Sequence, residues 1–482
     1  MNVGMGLRLL ETLTSALYED PIVFFREYVQ NSADAYVRSP IDGEFKIKID
    51  IDHENRCILF HDNGNGIERK DFLDKMTSIG KSDKSSAVDQ IGFRGIGRLS
   101  AMPFCDRLVF QNKVSGQTTI QEFSWNGRKY NSLLAKSESD DLVQVINDIT
   151  DIKELPYSGN PEDHYFAVLV ESYSDEIADM IDGADFEARL CKLLPLKYSP
   201  SFSKQNEIHN RYRRFMGSDL QKFEFDVYLG DTPLYKPYTQ DHILESDIVF
   251  WELSFDKESA DLPRENIGLL WFTFNRKVSS NHKSTPRGIF VRSKNMLLGN
   301  EYAIADAVTK GSGKYVATYR ELTQTLNGVY GELLIDTARL SDNARRDWFR
   351  IDAASNQLKC ILADYLTKLK DYRYAASQAF NDTQAAQKRD KVIQAYQGLT
   401  GGFDSKQFEH DFYESATNAA TTKKVAFVYA DDDIPRHPIT TKMIYEEILA
   451  SLKEYYTANG YDGIEEFIRI RTHLKRHFNK QE

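Results

Sequence analysis

No apolar run in this 482-residue sequence approaches the ~20 residues that a helix needs to cross a bilayer, so no membrane role is expected. Cysteine is scarce. Cys57, Cys105, Cys191 and Cys360 lie far apart, which argues against a disulfide framework or a cysteine-based metal site and fits a reducing, cytoplasmic compartment. The histidines show no metal-ligand spacing. The opening MNVGMGLRLLETL lacks the pattern of a signal peptide. Basic residues are in deficit, 61 against 72 acidic, for a net charge of -11. That balance argues against a wholesale nucleic-acid coat and leaves room for a local basic patch. Internal repeats and low-complexity tracts are absent too. The length is too great for one ordinary core, so two or three domains are expected.

What is present is organised around Phe25-Arg26-Glu27-Tyr28-Val29-Gln30-Asn31-Ser32-Ala33-Asp34-Ala35. Glu27, Asn31 and Asp34 stand at i, i+4 and i+7, which share one helix face. A carboxylate, an amide and a second carboxylate are odd choices for a helix that otherwise reads as core. They suit a group that orients water and an amide oxygen that holds a divalent cation. The plain alternative is a polar face in solvent. Two later stretches bear on the choice. Asp62-Asn63-Gly64-Asn65-Gly66 follows the apolar run Cys57 to Phe60, and Gly92-Phe93-Arg94-Gly95-Ile96-Gly97 precedes Arg98-Leu99-Ser100-Ala101-Met102. Each is weak alone; together, in this order, they are strong.

The three motifs resemble those of the GHKL ATPase superfamily: gyrase, heat-shock chaperone, histidine kinase and MutL. Leu17-Tyr18-Glu19-Asp20-Pro21 leading into FFREYVQNSADA, and the Ile91–Gly97 loop, look most like the ninety-kilodalton heat-shock chaperones. The resemblance implies ATP as the ligand with Mg²⁺. Glu27 would orient or activate water, Asn31 would coordinate the metal, and Asp34 would share that face. Asp62 would accept the adenine amino group, an acceptor-only role that a carboxylate suits. Gly64 and Gly66 would let the backbone approach the base. Gly92, Phe93, Arg94, Gly95, Ile96 and Gly97 would present N–H groups to the phosphates at a helix start. Gly80-Lys81-Ser82-Asp83-Lys84-Ser85-Ser86 would be a lid, with Lys81 near the nucleotide. No Walker A motif is present, which excludes the P-loop class.

Two departures stand out. The family's late-strand Gly-Thr pair is absent from His164-Tyr165-Phe166-Ala167-Val168-Leu169, which puts the adenine contact in question. Arg98 stands where the chaperones usually carry an aromatic. His61, beside Asp62, reads as structural.

The periodicities predict an α+β chain. An amphipathic helix over residues 7 to 19 leads into the Glu27 helix, which ends before Pro40. Phe45–Ile51 and Arg56–His61 alternate as a hairpin that delivers Asp62 at a strand end. Strands over Arg107–Phe110, Thr118–Trp125 and Tyr165–Val170, then a helix over Phe186–Leu194, complete a Bergerat-type sandwich with a mixed sheet, assigned to residues 1-220. A middle α/β domain, 221-355, is expected to open with the alternating Phe223–Val227. Its further strands are Leu269–Phe274, Gly288–Arg292 and Gly331–Ile335. Within it Asn343, Arg346 and Asp347 resemble the chaperones' Asn-x-x-Arg-acid stretch, which implies that Arg346, or failing it Arg345, meets the γ-phosphate. A charged helix start is the alternative reading. Residues 356-482 read as mainly helical, unlike the chaperones' dimerisation domain, so the resemblance covers at most residues 7 to 350.

The expected function is an ATP-driven clamp acting on a protein client or partner subunit, as a chaperone or in stress or antiphage defence. Homodimerisation on ATP binding is one form the closure would take. The alternative is a DNA-acting ATPase of MutL-like or MORC-like type, motivated by Arg211–Arg214 and Arg469–Arg476. A histidine kinase is disfavoured, because no His-containing dimerisation helix precedes the ATP motifs.

Overall fold

A computed structural model describes residues 20–77, 97–136, 142–238, 248–255, 265–274, 287–311, 318–343 and 345–381. The helix expected over residues 7 to 19, the lid with Lys81, the loop residues Gly92 to Ile96 and the stretch 382–482 with Arg469–Arg476 lie outside them. The fold is α+β with two mixed sheets.

Helix α1, Val23–Arg38, ends one residue before Pro40 is reached, through Ser39. Strands β1 (Lys46–Asp52) and β2 (Cys57–Asp62) form the expected hairpin, with Ile47 opposite Asp62. After α2 (Arg69–Thr77) come β3 (Cys105–Lys113) and β4 (Thr119–Asn126), helices α3 (Gly127–Lys136) and α4 (Leu142–Ile149), then β5 (Thr150–Pro156) and β6 (Tyr165–Tyr173). Helices α5 (Asp175–Ile181), α6 (Phe186–Leu193) and α7 (Gln205–Met216) follow. The first sheet runs β5-β4-β3-β6-β2-β1-β7-β8, where β7 is Asp226–Leu229 and β8 is Thr232–Leu234. Among the described residues, its one parallel strand pair is β1 with β7. Alternate residues of β1 and β2, such as Ile47, Ile49, Ile58 and Phe60, turn inward and are buried. Phe25 and Tyr28 of α1 meet the Phe60 ring edge-on, with centroids 5.2 and 5.0 Å away. That aromatic contact presses α1 onto the sheet.

The second sheet runs β12-β11-β13-β10-β9. Its strands are β9 (Val249–Phe255), β10 (Glu265–Phe274), β11 (Gly288–Ser293), β12 (Met296–Leu298) and β13 (Val329–Ile335). Helices α8 (Ala303–Gly311), α9 (Tyr319–Leu326) and α10 (Ala353–Asn381) complete this part. Thr318 and Glu321 close a reciprocal cap on α9. No described helix is long and apolar enough to cross a membrane.

One expectation is corrected. The alternating segment Phe223–Val227 does not open the second sheet; its strand, β7, lies between β1 and β8 in the first. Conversely, Tyr198, Phe202, Ile208 and Tyr212 pack with Trp271 of β10 in the second core. The chain crosses between the two cores more than once. Alternation marks a strand, but the partner of a parallel strand is set by long-range packing that the local pattern does not carry.

The junction is held by buried charge. The Glu332 carboxylate accepts from Arg292 Nε and the Tyr198 hydroxyl, and from Lys236 Nζ and Trp271 Nε1, both at 3.3 Å. Lys236 also lies 3.7 Å from Glu224, which pairs with His209 at 3.0 Å. Burial acts against ionisation of Glu332, yet the two cations and two hydrogen bonds hold its carboxyl below the usual range. Glu332→Gln keeps the shape but removes the anion that compensates Arg292 and Lys236. It should cost about 3 kcal/mol of stability in urea denaturation; an unchanged midpoint would show that the network contributes nothing.

Candidate functional site

Helix α1 is buried almost all round, and its polar residues go in with the rest. Glu27 is 6% exposed and Asp34 fully buried, so the solvated-face alternative does not hold. Asn31 is half-buried, and no described residue hydrogen-bonds its side chain. The Glu27 Oε1 lies 3.3 Å from Arg26 Nη2 and 3.5 Å from Arg346 Nη1. The second cation comes from the loop between β13 and α10, so the two sheets meet at this carboxylate.

That loop does not start a helix. Asp342 and Phe349 form an isolated bridge, Asn343 N–H donates to Trp348 O at 2.9 Å, and the Asn343 amide donates to the Asp347 carboxylate. Asn343 and Asp347 therefore close the loop on each other, and Arg346 sits at its bend with φ +55°. Left-handed backbone is costly for arginine and persists only where surroundings over-determine it. Arg345 is exposed, whereas the Arg346 side chain is 12% exposed and turned to Glu27. Asp342, which the sequence reading passed over, feels the Arg346 and Arg26 charges. Burial nevertheless holds its carboxyl above the usual range.

Gly97 opens a single turn of 3-10 helix, Gly97–Leu99, rather than an α-helix. Tyr28 ties the turn to α1: its hydroxyl donates to Arg98 O at 3.1 Å and accepts from Ala101 N–H at 3.3 Å. A Cβ on Gly97 would lie 2.0 Å from Glu27 Oε2, so the glycine makes room for that carboxylate. Arg98 is largely buried, and burial pulls its guanidinium down to about 10.

Asp62 ends β2 and is 2% exposed. Ser32 Oγ donates to Oδ2 at 2.5 Å, and Gly64 N–H donates to Oδ1 at 2.9 Å. Phe166 stands opposite Asp62 where the family's threonine was sought, and the hydroxyl comes from α1 instead. Ser32 lies inside the first motif, one residue past Asn31, but only the tertiary packing shows that it reaches the strand end. His164 Nδ1 lies 3.0 Å from Gly64 O. The His61 ring packs on Tyr165, consistent with a structural part. The two glycines are needed for a reason nearer than ligand approach. A Cβ on Gly64 would fall 2.9 Å from Asp62 Oδ1. On Gly66, at φ +70°, it would fall 2.7 Å from Asn112 Oδ1. Asn112 itself clamps Ile67 by both N–H and C=O at 2.7 Å.

Residues 23–153 match the family model of the histidine kinase-, DNA gyrase B-, and HSP90-like ATPases. This region is thus similar to the GHKL ATPase domains. Among curated proteins, the chaperone HtpG of Photorhabdus laumondii is 26% identical over 140 residues, covering 24% of this chain and 22% of its own. HtpG of Coxiella burnetii is 29% identical over the same share of each chain. HtpG of Shewanella pealeana is 25% identical over 199 residues, covering 36% of this chain and 30% of its own. The chain therefore spans less than a third of the length of these chaperone relatives. The ATPase region of Saccharomyces cerevisiae topoisomerase II aligns with 73% of this chain and 85% of its own, at 12% identity and a TM-score of 0.39, a remote likeness.

Burial raises the Asp62 carboxyl from its ordinary 3.8 to about 6, against the Ser32 and Gly64 hydrogen bonds. Because the folded value lies above the unfolded one, the stabilisation is full below pH 3.8 and is lost as the pH rises through about 6. The swing is about 3 kcal/mol. Urea denaturation from pH 4 to 7 should show it in the unsubstituted chain, and Asp62→Asn should lack it. Parallel profiles would contradict an elevated Asp62.

Proposed function

We propose that this chain binds and hydrolyses ATP, and that closure of its second sheet onto the nucleotide works as a clamp on a protein client or partner subunit. The observation that carries the reading is the meeting at 3.5 Å of Arg346, from the loop after β13, with Glu27 of α1, two residues far apart in sequence. Glu27 orients or activates the attacking water. Arg346 offsets charge that develops on the terminal phosphate, a role that other ATPases and GTPases give to an arginine. Asp62 accepts from the adenine amino group, with Ser32 in place of the missing threonine hydroxyl. The Gly92–Gly97 loop serves the phosphates.

Asn31 fits Mg²⁺: its half-buried amide offers a hard oxygen that no described residue hydrogen-bonds. Bound there, the ion would offset phosphate charge. We place the ATP-binding unit at residues 20–197 together with 223–234. The second sheet with Tyr198–Met216 forms the coupled unit.

The DNA-acting alternative loses part of its motive. Arg211 pairs with Glu252 at 2.7 Å and Arg213 with Asp219 at 2.7 Å, so two of the three arginines in Arg211–Arg214 are already matched by carboxylates. A protein partner, in a chaperone or defence role and with homodimerisation on ATP binding, suits the resemblance to HtpG better.

Glu27→Ala and Arg346→Ala should each bind Mg²⁺-ATP with near-normal affinity by calorimetry and turn it over about a hundredfold more slowly or worse. Their effects on turnover should be strongly non-additive if the two groups act on the same step. Unchanged turnover in either variant would remove that residue from the reaction.

A further inference from the structure

The β11–β12 hairpin joins the two halves of the molecule in an unusual way. Its turn residues Lys294 and Asn295 both have positive φ, +47° and +65°, as a type I′ hairpin requires. The turn points inward. Asn295 is 1% exposed, and its Nδ2 donates to Leu196 O at 3.2 Å and Phe223 O at 2.8 Å. Both carbonyls belong to segments next to β7 of the first sheet: Phe223 leads into that strand, and Leu196 bridges Phe225. Met296 is fully buried and packs in the first core, although β12 pairs in the second sheet. Arg292 adds a second tie: its Nη2 donates to Lys192 O at 2.9 Å, at the C-terminal end of α6. One end of β12 is thus fastened to the unit that carries Glu27.

The other end holds Arg346. Gly299, one residue beyond β12, has φ +63°, and its N–H donates to Arg346 O at 2.8 Å. A Cβ there would lie 2.7 Å from Asp347 O. Between the two anchors run only Met296, Leu297 and Leu298, extended and buried. An extended segment of that length is a spacer of roughly 10 Å with little give.

We propose that β12 is a strut, and that Asn295 and Gly299 are positioning residues for ATP hydrolysis. Asn295 fixes one end to the ATP-binding unit. Gly299 passes that position to the backbone of Arg346, and so sets how far the guanidinium reaches toward Glu27 and the terminal phosphate. The inference rests on the reading of Arg346 given above.

Asn295→Gly is the informative variant, because glycine keeps the left-handed backbone while it removes the side chain that carries the amide donors. Gly299→Ala disturbs the strut from its other end. Each should lower kcat about tenfold or more while leaving the affinity for Mg²⁺-ATP within about twofold, since misplacing a catalytic group by ~1 Å can cost that much. In an Arg346→Ala background neither should lower kcat further. The same fractional loss in both backgrounds, or no loss, would overturn the proposal. A second readout needs no nucleotide: amide hydrogen exchange at Gly299 should speed up at least tenfold in Asn295→Gly, and an unchanged rate would also overturn the strut. If the unsubstituted chain failed to turn over ATP, the functional reading would fall, while the exchange rate would still report on the strut.

Discussion

Glu27 is a carboxylate taken out of water, and a charge in that position is stable only where opposite charge and hydrogen bonds face it. Its neighbour Arg26 supplies one cation from the same helix. The other, Arg346, comes from a loop of the second sheet and approaches to 3.5 Å. Much of the rest follows from bringing these groups together. Gly97 has no side chain because one would occupy the place of the Glu27 carboxylate. Tyr28 pins the turn after Gly97 so that it stays clear. Asn343 and Asp347 bond to each other so that the backbone at Arg346 can take a strained bend.

The constraint extends to the junction between the sheets. A cation that must reach across two cores needs those cores in a fixed relation, and buried ion pairs are a costly but specific means of fixing one. Glu332 gathers Arg292, Lys236, Tyr198 and Trp271 from four separate segments. Arg292 then passes on to the end of α6, and Asn295 to Leu196 and Phe223. The repeated crossing of the chain between the cores has the same effect. Segment 198–216 packs in the second core and β7 returns to the first sheet, so separating the sheets would mean breaking both.

The half that carries Glu27 and Asp62 was largely legible in sequence. Helical spacing put Glu27, Asn31 and Asp34 on one face, and strict alternation located β1 and β2 to within a residue, leaving Asp62 at a strand end. Glycine spacing marked the loop around Gly97, but the reason for that glycine lay in a side chain seventy positions away. What the sequence concealed depends on distant partners. Phe223–Val227 alternates like any strand, and nothing local says that its neighbour is β1. Ser32 reads as an ordinary small helix residue until β2 is folded against it. Asn295 and Gly299 drew no notice in sequence; that the Asn295 turn is buried against the other half is a tertiary fact. Asp342 is one acid among several in a charged stretch until the loop closes.

Glu27, Arg346 and the strut form one account of how two sheets make a single ATP site. The most direct test is a crystal structure of the chain with Mg²⁺ and a non-hydrolysable ATP analogue. The account predicts the guanidinium of Arg346 in hydrogen-bonding contact with the terminal phosphate, beside a water held by Glu27. A nucleotide bound against Asp62 with Arg346 turned away from its terminal phosphate would contradict it.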